Sequence, residues 1–225
     1  MAKIIKPCLA GRQACTIYLV RHGETDNNKQ GIIQGSTIDA PLNSTGVKQA
    51  RAAAKKLKTI PFAAAFSSQA VRANQTAKII GLQHQLAVTA HHILRERGFG
   101  ELEGQPETVY HAKLKQLLAD YEKLSTEEKF EFQFPYGIEN LGAAVTRLIT
   151  FLREISFAYS SQTVLVVSHG ALIRNFLIRI GWADFNQLRW NPGSQPPISN
   201  LGFCVIESDG IDFKVIKTFG VNVHR

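Results

Sequence analysis

Apolar residues follow two rhythms along this chain. In Thr16-Ile17-Tyr18-Leu19-Val20, Phe62-Ala63-Ala64-Ala65-Phe66 and Thr163-Val164-Leu165-Val166-Val167 they run together, as expected of short strands buried on both faces of a parallel sheet. Between these runs the spacing becomes helical. Val47, Ala50, Ala54 and Leu57 share one face behind Ser44 or Thr45, either of which can cap the helix, while Lys48, Arg51, Lys55, Lys56 and Lys58 face outward. A second helix is predicted from Gln69 to Ile80, closed by Gly81 in a left-handed cap. Residues 86–93 read as an edge strand. The spacing of Val109, Leu114, Leu117 and Leu118 predicts one helix over 106–121, and residues 122–138 form a connection of unassigned shape. Leu141, Ala144, Val145, Leu148, Leu152 and Ile155 line a long helix leading into the strand at Thr163, and a further apolar helix follows Gly170 as far as Ile180.

Residues 26–43, rich in Asn, Gln and Gly, read as a loop over the end of the first strand, and Asn191-Pro192-Gly193 with Pro196-Pro197 marks another. Phe203–Glu207 and Ile211–Thr218 flank Ser208-Asp209-Gly210, a hairpin signal. The sum is an α/β fold: a three-layer sandwich with a mainly parallel central sheet covered by helices on both faces, plus a C-terminal hairpin.

Length and composition refine this picture. The 225 residues, 44% hydrophobic and 20% charged, suit one domain spanning 1–225, with residues 1–15 as an N-terminal arm. A formal charge of +8 suits an anionic small molecule, nucleic acid or an acidic membrane surface. Much of it lies on the outer face of the helix after Thr45, with no aromatic interleaving, so a solvated face is the better reading and no nucleic-acid partner is expected. No run of about 18 apolar residues exists to span a bilayer, and no membrane partner is expected. Cys8, Cys15 and Cys204 are widely spaced and read as free thiols, which places the chain in the cytoplasm. His84, His91, His92, His111 and His224 have no metal-ligand spacing and read as structural or solvated. Oligomeric state is left open by this reading.

Candidate chemistry gathers at two strand ends. The first buried run passes into Arg21-His22-Gly23-Glu24-Thr25, and the run at Thr163 passes into Ser168-His169-Gly170. Ligands of open α/β sheets bind beyond the carboxyl ends of parallel strands, so two His-Gly pairs there face a crevice. Arg72, in the first turn of its helix, opposes the helix dipole, which points to an anion that it helps to neutralise.

Further elements follow in order: Asn28, Gln34-Gly35, Asp39-x-Pro41-Leu42 with Gly46 and Gln49-Ala50, Ser67-Ser68 with Arg72-Ala73 and Thr76-Ala77, and Leu94-x-Glu96 with Gly100 and Glu103-Gly104. With these, the chain resembles the histidine phosphatase, or phosphoglycerate mutase-like, superfamily over residues 16–206. The resemblance implies a metal-free site without cofactor, in which His22 is the nucleophile and Glu96 the proton donor. His169, Arg21 and Arg72 would bind the phosphoryl group, His169 also acting in catalysis, and Asn28, Gln34, Gly35 and Glu24 would meet the substrate.

Phosphoglycerate mutases of this superfamily usually follow the glutamate with Arg-His-Tyr-Gly. Here it is followed by Arg97-Gly98-Phe99-Gly100, and the runs Ile32-Ile33-Gln34-Gly35 and Leu94-Arg95-Glu96-Arg97 look like the TIGAR-like fructose bisphosphatases and related broad-specificity phosphatases. The resemblance therefore implies a phosphomonoesterase whose partner is a small phosphorylated metabolite, a sugar phosphate such as fructose-2,6-bisphosphate. A 2,3-bisphosphoglycerate-dependent phosphoglycerate mutase is the alternative. A third reading, an inactive basic binding protein on the same fold, would be expected to lack one of the five pocket residues, and all five are present. Gly137-Ile138-Glu139-Asn140 keeps the glutamate of a segment that in many relatives has two glycines, a glutamate and a serine or threonine; Ile138 and Asn140 depart from it.

Overall fold

A computed structural model describes residues 13–190 and 193–224. In chain order the elements are β1 (Cys15–Arg21), α1 (Asp26–Lys29), α2 (Ser44–Leu57), β2 (Phe62–Ser68), α3 (Val71–Leu82) and β3 (Val88–His91). Then come α4 (Glu107–Lys113), α5 (Lys115–Tyr121), α6 (Thr126–Glu131), α7 (Leu141–Ala158), β4 (Thr163–Ser168), α8 (Gly170–Arg179), β5 (Ile198–Ser208) and β6 (Phe213–Val221). The sheet order is β3-β2-β4-β1-β5-β6. The first four strands are mutually parallel, and β5 joins β1 antiparallel before turning into the β5–β6 hairpin.

Strand side chains alternate between faces, which divides the core in two. Ile17, Leu19, Val164 and Val166 pack with Leu148 and Leu152 of α7 and with Ile173 and Phe176 of α8. Val20, Leu165 and Val167 pack on the opposite face with Ala54 and Leu57 of α2 and with Ala73, Ala77 and Ile80 of α3. Because β1 and β4 are buried on both sides, they show no polar alternation, which is why they read as continuous apolar runs. Their register pairs Arg21 with Ser168, bringing the two His-Gly pairs to the same level at neighbouring strand ends.

Several boundaries differ from the sequence-based expectation, each for a local reason. Helix α2 is capped by Asn43, whose side chain accepts from the Gly46 amide at 2.8 Å, so Ser44 and Thr45 lie inside the first turn. Helix α3 begins at Val71 and runs through Gly81, which takes no left-handed conformation; the positive φ falls at Gln85. A Cβ at Gly81 would meet the Leu86 carbonyl oxygen at 3.2 Å, so glycine serves close approach of the returning chain there. The helix expected over 106–121 breaks at Leu114, whose buried side chain turns inward between α4 and α5. Within 122–138, Ser125 and Glu128 form a reciprocal capping box that starts α6. The edge strand at 86–93 shrinks to β3, and the hairpin strands extend to Ile198 and Val221. The N-terminal arm expected over 1–15 falls outside the described residues up to position 12, and Cys15 is already buried in β1. Asn191 and Pro192 of the expected loop, and Cys8, also lie outside them. Among the described residues no helix is long and apolar enough to cross a membrane.

Candidate active site

The end of β1 carries Arg21 and His22 into the sheet crevice, and both are buried. Two glycines allow close packing around them. A Cβ on Gly23 would stand 2.8 Å from the Gly46 carbonyl oxygen, and one on Gly170 would press to 3.1 Å on Arg21 Nε. The His22 Nδ1–H donates to the Gly23 carbonyl at 2.7 Å, which selects the tautomer whose Nε2 keeps its lone pair. His169, fully buried at the end of β4, places its ring 5.3 Å from that of His22 in an edge-on arrangement.

Arg72 reaches this point from α3. Its Nη1 and Nη2 donate to the carbonyls of Ile38 and Gly35, each at 2.9 Å, so the segment expected as a loop over 26–43, which opens with the short helix α1, is pinned to the arginine it covers. Asp39 accepts from the Val71 amide at 2.7 Å and stands 3.9 Å from Arg72, supplying negative charge at the start of α3. Arg21 Nη1 donates to the Ile198 carbonyl at the start of β5. Arg21 Nε, Arg72 Nε, Gln34 Oε1 and both ring nitrogens of His169 are buried without a hydrogen-bond partner among the described residues. A cluster of such groups costs stability unless a ligand pairs them, and three donors among them, the two guanidinium Nε–H groups and the one N–H of a neutral His169 ring, suit an anion.

Burial dominates the electrostatics. It pushes His22 well below the ordinary histidine pKa, with Arg72 and Arg21 adding to the effect, and pushes His169 the same way with Arg72 and His22 contributing. Both rings are therefore neutral at neutral pH. Arg21 is lowered by burial to about 10, partly offset by Glu96, and stays cationic. The unfolded chain takes a proton on each histidine near pH 6.5, whereas the folded chain does not, so stability falls as pH drops below about 6.5 towards the folded values. Urea unfolding of wild type is expected to show this acid loss, and His169→Gln a shallower one, each such histidine contributing at most about 1.4 kcal/mol per pH unit. Equal slopes would remove His169 from the account.

Glu96 follows the short 3₁₀ turn at His92–Leu94. Its Oε1 accepts from the amides of Arg97 (2.9 Å) and Leu172 (3.0 Å), and Oε2 from that of Ala171 (3.1 Å), which seats the carboxylate on the first turn of α8. Arg21, His22, Arg72 and Glu96 line one cleft of about 500 Å³, together with Asn28, Gln34 and Gly35. Neither the fully buried His169 nor Glu24 lines it. The Glu24 carboxylate accepts from the Asn43 side-chain amide at 2.9 Å on the α2 side of the strand end.

Part of the cleft wall was not legible in the sequence. Arg97, which the sequence offered only as part of the run around Glu96, is buried against the rings of Phe99 and Phe134. Arg174, Arg189, Trp190 and the half-buried Glu107 join the lining, as does His111, which had been read as structural or solvated. Only the spacing of Arg174, five residues after His169, could have drawn attention to it. Among the described residues no group of three or more His, Cys, Asp or Glu side chains is placed to hold a metal ion.

Known proteins resemble this chain over much of its length. A model of the histidine phosphatase superfamily (branch 1) matches residues 17–218. The uncharacterized phosphatase PhoE of Bacillus subtilis is 34% identical over 172 residues, covering 75% of this chain and 78% of that protein. Fructose-2,6-bisphosphatase TIGAR B of Danio rerio is 38% identical over 144 residues, covering 62% of this chain but only 52% of its own length. The structure of Bacillus stearothermophilus YhfR superposes with a TM-score of 0.75 at 27% identity, covering 90% of this chain and 96% of that one.

Proposed function

The chain belongs to the histidine phosphatase superfamily (branch 1), and from that premise we propose that it hydrolyses a small phosphorylated metabolite through a phosphohistidine on His22. The observation that carries this reading is the pairing of His22 Nδ1 with Gly23, which leaves Nε2 its lone pair beside Arg21, Arg72 and His169. The dianion of a phosphomonoester repels nucleophiles, and the two guanidinium groups offset that charge while holding the ester in line. A bound phosphoryl group also raises the proton affinity of His169, which then donates to one of its oxygens.

In the first step His22 Nε2 forms a bond to phosphorus as the ester P–O bond breaks, and Glu96 delivers a proton to the departing oxygen. In the second, water attacks phosphorus, Glu96 takes its proton, the N–P bond breaks and phosphate leaves. Charge neutralisation comes from Arg21 and Arg72, so no metal takes part.

A sugar bisphosphate such as fructose-2,6-bisphosphate is the finer proposal. Two things support it: the relative named TIGAR B, and two further cations, Arg97 and Arg174, among the residues that line the cleft. The buried free thiols Cys15 and Cys204 support a cytoplasmic location. The deciding experiment gives purified enzyme a panel of sugar phosphates and phosphoglycerates. Free phosphate is expected in proportion to substrate consumed, with no bisphosphate primer. Interconversion of 3- and 2-phosphoglycerate that depends on 2,3-bisphosphoglycerate and outruns phosphate release would make the chain a mutase.

A further inference from the structure

Glu96 sits on a stretch with little structure of its own. After the 3₁₀ turn at His92–Leu94, residues 95–99 belong to no helix or strand, yet a proton donor must keep its place to a fraction of an ångström. The support comes from α7. Arg147, on its second turn, directs Nη1 to the carbonyls of Ile93 (2.7 Å) and Arg95 (2.6 Å) and Nη2 to that of Glu96 (2.9 Å). The same guanidinium is held by Glu139, from Nε to Oε1 and from Nη2 to Oε2, both at 3.1 Å. Glu139 also grips the far side of the stretch. Its Oε2 accepts from the Gly98 amide, its backbone N–H donates to the Gly98 carbonyl, each at 2.9 Å, and its own carbonyl accepts from Arg97 Nε at 2.8 Å.

One ion pair thus fastens both flanks of Glu96 without lining the cleft. Resting on the reading of Glu96 as proton donor, we propose that Glu139 and Arg147 are positioning residues, a clamp that aims the Glu96 carboxylate at the leaving-group oxygen. The planar fork of arginine is needed, because a lysine ammonium cannot serve three carbonyls and a carboxylate together. The departures at Ile138 and Asn140 leave the clamp intact. Ile138 is buried in the core, and Asn140 caps α7 by accepting from the Ala143 amide at 3.0 Å, so asparagine does the work of the serine or threonine of many relatives.

The test compares an alkyl with an aryl phosphate, since an aryl leaving group departs with little help from an acid. Glu96→Gln, Arg147→Lys and Glu139→Gln are assayed on glycerol phosphate and p-nitrophenyl phosphate, with orthophosphate inhibition as the measure of the phosphate site. For Arg147→Lys, kcat on the alkyl ester is expected to fall on the order of 10- to 100-fold, short of the full contribution of a general acid. The aryl ester should be slowed much less and the orthophosphate inhibition constant should hold. Glu139→Gln, which preserves shape, is expected to show the same selectivity in milder form and carries the test if Arg147→Lys does not fold. Equal slowing of both esters, or none, overturns the clamp. Selectivity in Glu96→Gln but in neither clamp variant refutes the clamp and keeps the proton donor. A flat Glu96→Gln profile refutes the proton donor and removes the clamp's purpose with it.

Discussion

His22→Ala is expected to lower kcat on the order of 10⁴-fold or more, a loss typical of removing a nucleophile from a site that works as a unit. What remains would reflect Arg21 and Arg72 polarising a bound ester that water attacks slowly. Wild type quenched during turnover should carry phosphate that is stable to base, labile to acid and located on His22, because Nε2 is the nitrogen left free by the hydrogen bond to Gly23. Label found on another residue, or a mutant that keeps its rate, would remove the nucleophile assignment. Since burial holds the ring neutral, the nucleophile needs no prior loss of a proton at neutral pH.

Arg72→Lys comes next in size, with a loss of about 10²- to 10³-fold in kcat/KM expected from exchanging a forked donor for a point charge beside the reacting phosphoryl group. Arg72 is 2% exposed and spends Nη1 and Nη2 on the Ile38 and Gly35 carbonyls, leaving Nε for the ligand. Lysine keeps the charge but cannot make both loop contacts and a phosphoryl contact. Vanadate, which mimics the five-coordinate phosphoryl group, should inhibit wild type strongly and the variant weakly. Strong inhibition of both would show that the arginine holds the loop and not the phosphoryl group. Chelators should leave the wild-type rate unchanged, and loss of activity restored by a divalent ion would overturn the metal-free chemistry.

The reasons these residues could be found without coordinates are physical, and so are the reasons others could not. Strands buried on both faces leave long apolar words in the sequence, and the charged residues at their ends mark where the crevice begins, so Arg21, His22 and His169 were legible. Glu96 came from resemblance alone, since its neighbours Arg95 and Arg97 make it look like part of a surface ion pair. The cleft wall of Glu107, His111, Arg174 and Trp190 was not legible, because it is assembled from α4, α8 and the segment after α8 with no shared periodicity. Helix ends misled where tertiary contacts decide them. Gly81 sits where the chain passes close by, and Asn43 reaches across to Glu24 as well as capping α2. The break at Leu114 was hidden because each half keeps its own helical spacing.

The sheet order carries a cost during synthesis. β1 is made first, yet it lies between β4 and β5, both contributed by the last third of the chain. Until those strands leave the ribosome, an apolar ribbon meant for burial on both faces and pairing along both edges has no partner along either edge. The nascent chain must shelter it through non-native contacts or chaperones for most of translation, and the long separation between β1 and its neighbours favours slow folding. Arg21 meets the Ile198 carbonyl only when β5 arrives, so the nucleophile's surroundings are completed among the last events of folding.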